Sequence, residues 1–310
     1  DHIKEQIELV QSLEEKGYTY ETSDGIYFDS MKFKRYPDFA RIDVENLQEG
    51  ARIDKGEKKN ITDFALWKHS PKNETRQMEW PSPWGIGFPG WHIECSAMAM
   101  HHCGVTLDIH CGGTDHVKIH HTNEIAQSEC HSGETFSRFW MHGEFLRTSE
   151  SHKMSKSSGD FLTLSLLIEK GYHPMEYRFF NLQSHYRNFL NFSFDAMNAA
   201  KKGLKKLRQK TDPLVKVAFK VESEAALRWK GIFEGAVFDV LNAPRALGIL
   251  NSMLKDDSVA DSEKGALILD FDQVFGLGLD SEMEVFELEK QGVSLKEGQL
   301  EKFSAWVEER

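Results

Sequence analysis

The chain has 310 residues, a formal net charge of −11, 40% hydrophobic residues and four cysteines. This length allows two compact units, and no apolar run approaches the roughly 20 residues of a membrane-spanning helix, so we expect no membrane partner. Cysteines without a paired spacing argue against a disulfide framework and predict a cytoplasmic protein. The negative net charge does not exclude a nucleic-acid partner, because such binding depends on where positive charge is clustered.

The first 80 residues contain one helix signal and one strand signal. Residues 1–16 have the apolar spacing of an amphipathic helix, which Gly17 would end. Residues 26–28, Ile-Tyr-Phe, predict a strand. Residues 54–62 are charged and predict a loop.

The next segment predicts a helix, a strand and a second helix. A Pro-Gly pair precedes an apolar-rich run that ends at residue 102, as at the start of a helix. Residues 105–109 form a short apolar run that ends near Gly112 and Gly113, which is typical of a buried strand. Residues 116–130 again have helical spacing.

This second helix carries candidate metal ligands. His120 and Glu124 are at positions i and i+4, so both side chains project from one face. Cys95, on the preceding helix, is able to reach them. A thiolate, an imidazole and a carboxylate are a reasonable zinc set, and three protein ligands are typical of a catalytic zinc with an open position. The alternative is that all three side chains are structural.

Most other histidines are expected to be structural. Ten of the fourteen lie between residues 92 and 152. We expect five of them to be helix caps, packed imidazoles or solvent-facing groups, namely His101, His102, His116, His131 and His142.

A lysine-rich segment at residues 152–159, His-Lys-Met-Ser-Lys-Ser-Ser-Gly, predicts a phosphate-binding loop. Ammonium groups placed beside a phosphate stabilise negative charge that grows on it, most strongly in a water-poor site. Lys153 and Lys156 are the candidates for this role. The alternative is an ordinary surface turn.

The remainder of the chain predicts helices at residues 193–200, 224–240, 243–254 and 262–275. Six cations within residues 201–210 could follow a phosphate backbone and give salt-dependent affinity. The candidate nucleic-acid-binding residues are Lys201, Lys202, Lys205, Lys206 and Arg208. The alternative is a solvated helix face, because Leu204 and Leu207 resemble a packing stripe.

Taken together, these motifs closely resemble cysteinyl-tRNA synthetase, a class I aminoacyl-tRNA synthetase. The loop at 152–159 matches the KMSKS signature of that class. The resemblance extends from about residue 1 to about residue 250. The other matching segments occur in the family's order, at residues 63–68, 80–85, 89–98, 108–115 and 120–128.

The resemblance implies an α/β fold, in which the second half of a Rossmann-type class I catalytic domain is followed by an all-α helical domain. It assigns residues 1–80 to the connective insert of the catalytic domain and 81–150 to the second Rossmann half with the zinc site. Residues 151–192 would form the KMSKS loop and the stem-contact region. Residues 193–310 would form a helical tRNA-binding domain, which we expect to be incomplete.

The implied activity is a cysteine-tRNA ligase, which makes cysteinyl-adenylate from cysteine and magnesium-bound ATP and transfers the cysteinyl group to tRNA(Cys). One zinc per chain would select cysteine through its thiolate, and the positions of the family's zinc ligands correspond to Cys95, His120 and Glu124. Lys153 and Lys156 would be catalytic. We expect a monomer.

The same resemblance implies two sets of substrate contacts. Trp91 and His110 would contact cysteine, although each could instead be a packed side chain. ATP would be bound by Gly112, Gly113, Asp115 and Lys156. Cys111 is a departure, because the family usually has glycine there.

Two family features have no counterpart in these residues, a further zinc cysteine and the HIGH motif of the first nucleotide-binding half. We therefore expect the 310 residues alone to be inactive. Two alternatives are left open. One is an ATP-dependent ligase that joins cysteine to an amino-sugar, against which the basic run argues, and the other is a non-catalytic tRNA-binding fragment.

Overall fold

The computed structural model describes residues 1–43, 56–71, 76–148 and 163–281. The chain divides into two compact units, Asp1–Glu144 and Phe145–Arg310. Within the described ranges no helix is both long and apolar enough to cross a membrane. Lys153 and Lys156 lie outside the described residues, so their predicted role stays a prediction.

The first unit begins with a helix and a five-stranded antiparallel sheet. The predicted helix is confirmed as α1 (Ile3–Glu15), and it ends before Gly17, whose φ of 76° suits glycine. The predicted strand is confirmed within β2. The strands, in the sheet order β1-β2-β3-β5-β4, are β1 (Thr19–Thr22), β2 (Gly25–Phe28), β3 (Phe64–His69), β4 (Trp80–Ser82) and β5 (Gly85–Pro89).

A close backbone contact fixes the passage from this sheet into the next helix. The Pro-Gly turn is followed by α2 (Trp91–Cys103), as predicted, and Gly90 is its N-cap. A Cβ at Gly90 would lie 2.0 Å from the carbonyl oxygen of Ala65 in β3. Glycine is therefore required for α2, which carries Cys95, to start so near the sheet.

The second part of this unit is a parallel strand pair. Strand β6 (Leu107–Gly113) pairs in parallel with β7 (Ser137–Gly143), and the connection contains α3 (Thr122–Ser132). A turn of 3₁₀ helix and a π-helical turn, Val117–His121, precede α3. Two parallel strands joined by a helix are the βαβ unit from which Rossmann-type domains are built.

Residues 105–109 were expected to form a buried strand, and this expectation was wrong for Ile109. Ile109 is 57% exposed and Phe139, its partner in β7, is 66% exposed. A parallel strand is buried when helices cover both faces. Within the described residues β6 pairs only with β7, and the side that carries Ile109 is open.

The second unit is mainly helical, as expected. Its strands β8 (Leu146–Thr148) and β9 (Leu190–Phe192) pair in parallel. The helices predicted at 224–240, 243–254 and 262–275 are confirmed to within a few residues, whereas the helix predicted at 193–200 continues to residue 215. The bounds are α4 (Leu164–Glu169), α5 (Pro174–Leu182), α6 (Phe194–Val215), α7 (Glu224–Phe238), α8 (Ala243–Met253) and α9 (Asp261–Phe275).

Side-chain caps define where these helices start. The hydroxyls of Ser193 and Ser223 accept hydrogen bonds from backbone amides in the first turns of α6 and α7, and Asn242 does the same for α8. Such caps satisfy amides that have no partner inside the helix. Pro244 occupies the first turn of α8, where proline is favourable because its missing amide hydrogen needs no helical partner.

The core of the second unit confirms the predicted packing stripe. Leu204 and Leu207 of α6 are buried. Phe271 of α9 is fully buried and stacks on Phe233 of α7, with 3.8 Å between ring centroids. The lysines of α6 therefore point away from a well-packed helix face. The domain boundaries predicted at residues 80, 150 and 192 stay predictions.

Candidate metal and substrate site

The π-helical turn and the first turn of α3 place a cluster of polar side chains inside the first unit. His120 and His121 end the π-helical turn and are buried, and Glu124 follows in α3 with no solvent exposure. His120 Nε2 lies 3.5 Å from Glu124 Oε2, as the i, i+4 spacing predicted. Short π-helical turns are frequent at functional sites.

Helix α2 supplies the third member of the predicted set. The Sγ of Cys95, a ring nitrogen of His120 and a carboxylate oxygen of Glu124 all lie within 4.8 Å of one another. Glu124 Oε1 is buried and has no hydrogen-bond partner among the described residues. A buried carboxylate oxygen without a partner is costly, and a cation bound here would satisfy it. The sulfur, nitrogen and oxygen donors fit zinc.

The protonation states of the metal-free cluster follow from its burial. Burial, with the charges of Glu124 and Glu94, raises the pKa of the Cys95 thiol to about 11. Burial also lowers the pKa of His120, so its imidazole is neutral, which is the form that binds metals. A metal would have to displace the Cys95 proton, so binding should release a proton.

A second set of ligand atoms shares the same carboxylate. His110, His121 and Glu124 also offer atoms within 4.8 Å of one another. His110 Nε2 is 3.1 Å from Glu124 Oε2, and His121 Nε2 is 3.8 Å from the same oxygen. Trp140 packs against both rings, at 4.9 Å between centroids. Sequence reasoning included His110 but missed His121, although its i, i+3 spacing to Glu124 was a visible signal.

Two further histidines, His92 and His142, form hydrogen bonds with histidines of the cluster. His92 Nδ1 and His120 Nδ1 share a hydrogen bond of 2.9 Å, and His121 Nδ1 shares one of 2.8 Å with His142 Nε2. Burial is the main cause that lowers the pKa of His92 and of His121 to about 3. Metal-binding imidazoles usually use their second nitrogen in such a bond, so His92 is suited to orient His120. His92 and His121 were not singled out from the sequence.

Trp91 stands at the start of α2, above the cluster. Its ring centroid is 4.7 Å from that of His120, yet the side chain is 62% exposed. The alternative that Trp91 is a packed core residue was therefore wrong. An exposed aromatic ring beside the candidate ligands is available to form a wall of a small binding site.

The predicted nucleotide-binding residues lie where β6 ends. A Cβ at Gly112 would lie 2.5 Å from Cε1 and 2.7 Å from Nε2 of His121, so glycine allows β6 to pass close to the cluster. Gly113 ends the strand, and Asp115 follows in the 3₁₀ turn. The carboxyl end of a parallel strand is where open α/β sheets bind ligands. Cys111, also on β6, is exposed.

A cavity of about 960 Å³ lies beside this cluster, and its lining includes Tyr36, Lys68, His92 and Asn123. Neither Cys95, His120 nor Glu124 lines it. The cavity therefore shares only an outer histidine with the cluster. The cavity therefore does not indicate where a substrate would bind at Cys95, His120 and Glu124.

The five predicted tRNA-binding cations lie on α6, but two of them have partners within the second unit. Lys201 Nζ donates a 2.7 Å hydrogen bond to the carbonyl of Gly171. Arg208 donates three, to the carbonyls of Leu277, Gly278 and Ser281. The other three are exposed, namely Lys202, Lys205 and Lys206.

Sequence comparisons relate this chain to known proteins. Residues 1–202 match the family model described as the class I (C) tRNA synthetase catalytic domain. The chain is 45% identical over 283 residues to cysteine--tRNA ligase 1 of Burkholderia lata, covering 90% of this chain and 58% of that protein. It is 38% identical to the cysteine--tRNA ligase of Treponema denticola, covering 100% and 67%. The Thermococcus onnurineus enzyme of the same name is 45% identical, with 74% and 47% covered. The chain thus spans about half to two thirds of these relatives.

Solved structures agree on the fold. The methionyl-tRNA synthetase of Mycobacterium tuberculosis, in complex with methionyl-adenylate, superposes with a TM-score of 0.58 over 89% of this chain and 71% of that one. The sequence identity is 14%. This likeness supports the Rossmann-type catalytic fold that the motifs implied.

Proposed function

Because the chain belongs to the cysteinyl-tRNA synthetase family, we propose that it works as a cysteine-tRNA ligase. In the first step the carboxylate of cysteine attacks the α-phosphate of ATP, and pyrophosphate leaves. In the second step a hydroxyl of the terminal adenosine of tRNA(Cys) attacks the carbonyl of cysteinyl-adenylate, and AMP leaves. The relatives' names do not favour the amino-sugar ligase or the non-catalytic fragment.

The observation that carries this proposal is the convergence of Cys95, His120 and Glu124, three donors of different chemistry within 4.8 Å. We propose that they hold one zinc ion. When bound, zinc would supply a soft Lewis acid that favours a substrate thiolate over a hydroxyl. A site built around one specific contact rejects an analogue that lacks it by about 10⁴-fold or more, so serine would be excluded without an editing step.

The side chains around the cluster have separate proposed roles. Trp91, exposed and 4.7 Å from His120, would close one side of the cysteine site and limit it to a small side chain. His110, held at 3.1 Å by Glu124, would present its ring to the substrate. Because Glu124 is buried, it keeps both His110 and His120 in fixed orientations.

The nucleotide would lie along the end of β6. Support comes from the position of Gly112, Gly113 and Asp115 at the carboxyl end of a parallel strand. Magnesium-bound ATP is the proposed co-substrate. Lys153 and Lys156 would stabilise the charge that grows on the pyrophosphate. We also propose that the protein is cytoplasmic, from its cysteine usage, and monomeric, from the family resemblance.

The proposal is tested by ATP–pyrophosphate exchange with cysteine or serine and by cysteinylation of tRNA(Cys). An enzyme that contains these residues together with a first nucleotide-binding half should catalyse cysteine-dependent exchange, and Cys95→Ser should lose both zinc and exchange. Cys103→Ser is the matched control, because Cys103 is exposed at the other end of the same helix. Full zinc content in Cys95→Ser would reject the ligand assignment.

Exchange and transfer separate the possible activities. Exchange with cysteine, followed by transfer to an amino-sugar but not to tRNA(Cys), would overturn the proposal in favour of the other ligase. Tight tRNA binding without exchange, measured on a protein that also contains the HIGH motif, would identify a non-catalytic tRNA-binding protein.

A further inference from the structure

Three imidazoles meet at a second place in the first unit, between the start of α1 and the end of α2. His2, His101 and His102 each offer a ring nitrogen, and the three atoms lie within 4.8 Å of one another. The ring centroids are 4.7 to 4.9 Å apart. His101 is six residues beyond Cys95, about 9 Å along a helix that rises 1.5 Å per residue. The cluster is therefore distinct from the candidate zinc site.

The backbone at His2 is unusual. Its φ of 59° and ψ of 26° are left-handed, a conformation that residues other than glycine seldom adopt. Such strain persists where the surrounding contacts compensate for it. The Nδ1 atom of His2 is buried and has no hydrogen-bond partner among the described residues. Ring contacts alone leave this buried nitrogen unsatisfied, whereas a bound cation would provide a partner.

Two further features favour a cation at this place. Glu5 Oε1 lies 3.8 Å from His101 Nδ1, so a carboxylate stands beside the imidazoles and adds negative charge. His101 and His102 occupy the last turn of α2, where the aligned peptide dipoles place partial negative charge. A set of imidazole nitrogens with one carboxylate suits zinc and neighbouring transition metals, whereas magnesium and calcium prefer oxygen ligands.

We propose that His2, His101 and His102, with the Glu5 carboxylate beside His101, form a second metal site for a divalent cation of the zinc class. The ion links the beginning of α1 to the end of α2. These helices already pack through buried side chains of α1, including Leu9 and Leu13. The histidines predicted as caps or solvent-facing groups at 101 and 102 thus have a ligand role.

Cobalt titration of the metal-free protein distinguishes the two sites. Co²⁺ in a tetrahedral site absorbs visible light, and a near-ultraviolet charge-transfer band appears only when a thiolate is a ligand. The site at Cys95 should show both signals, and the histidine site only the first. We expect two cobalt ions per chain. The double variant His101→Ala/His102→Ala should weaken the component without a thiolate band by at least about tenfold and leave the charge-transfer band unchanged.

The matched control is His131→Ala/His185→Ala, which also removes two imidazoles. Both double variants are first compared by circular dichroism and thermal unfolding without metal, and His2→Ala provides an independent test if either is misfolded. Wild-type cobalt binding in His101→Ala/His102→Ala, or an equal loss in the control, would overturn the second site. If the unmodified protein binds cobalt without a thiolate band, that result would instead count against Cys95 as a zinc ligand of the proposed function.

Discussion

Neutralising three lysines on α6 should weaken tRNA binding and reduce its dependence on salt, without unfolding the second unit. Lys202, Lys205 and Lys206 are exposed, whereas Leu204 and Leu207 on the opposite face are buried. Replacing the lysines by glutamine therefore removes charge and leaves the apolar packing in place. The change tests whether this basic face binds phosphate or is simply solvated.

The expected magnitude follows from the number of exposed lysines. Each phosphate neutralised contributes about 0.7 to 0.9 to the slope of log K against log salt, through release of counterions. The triple variant should therefore lose about 2 to 3 units of slope. Raising the salt from 50 to 200 mM should therefore lower the affinity of the unmodified chain by roughly 15- to 60-fold more than that of the variant.

Arg208 provides the control on the same helix. Its guanidinium donates to the carbonyls of Leu277, Gly278 and Ser281 at 2.8 to 2.9 Å. Arg208→Gln should lower the free energy of unfolding by about 1.5 kcal/mol, the lower end of the range for charged hydrogen bonds, because the site is partly exposed. The salt slope should remain that of the unmodified chain.

The assay is fluorescence anisotropy of labelled tRNA(Cys) at several salt concentrations, with urea unfolding of each variant. An unchanged slope in the triple lysine variant would refute the phosphate-binding interpretation of α6. An equal loss of slope in Arg208→Gln would show that its contacts with carbonyls do not prevent it from binding phosphate.

Three other measurements test the role of Lys156, the core contact of Phe271 and the pH-dependent contribution of Asp256. In the intact enzyme, with both nucleotide-binding halves, Lys156→Ala should slow pyrophosphate exchange far more than it weakens cysteine binding, because its ammonium acts on charge that grows in the transition state. Unchanged exchange would contradict this role. Phe271→Ala, which removes a buried ring stacked on Phe233, should cost about 3 to 5 kcal/mol in urea unfolding, and a loss below about 1 kcal/mol would mean that the stack is not a core contact. Hydrogen bonds, first from the Ser258 hydroxyl, lower the pKa of Asp256 from 3.8 to about 2. The stability that this carboxylate contributes is complete above pH 3.8 and is lost as the pH falls through about 2. Asp256→Asn should therefore flatten the acid side of the stability curve, and an identical curve would reject this contribution.

Local features of the chain were predictable because they depend on backbone periodicity. The i, i+4 spacing of His120 and Glu124 puts both on one helix face wherever that helix packs. Gly17 ends α1 through a positive φ that glycine adopts without strain. The spacing of Leu204 and Leu207 identified the buried side of α6 for the same reason. These positions required no knowledge of the rest of the fold.

Contacts between distant segments were decided only by the tertiary structure. Arg208 looked like one cation in a basic run, yet its partners lie 69 to 73 residues further along the chain. His110 reaches Glu124 because β6 passes beside α3, and His2 reaches His101 because α1 packs on α2. Ile109 has the apolar character of a buried strand but lies on an open face. Periodicity determines which way a side chain points from its own element, whereas its partner depends on how separate elements pack, and that information is spread over the whole unit.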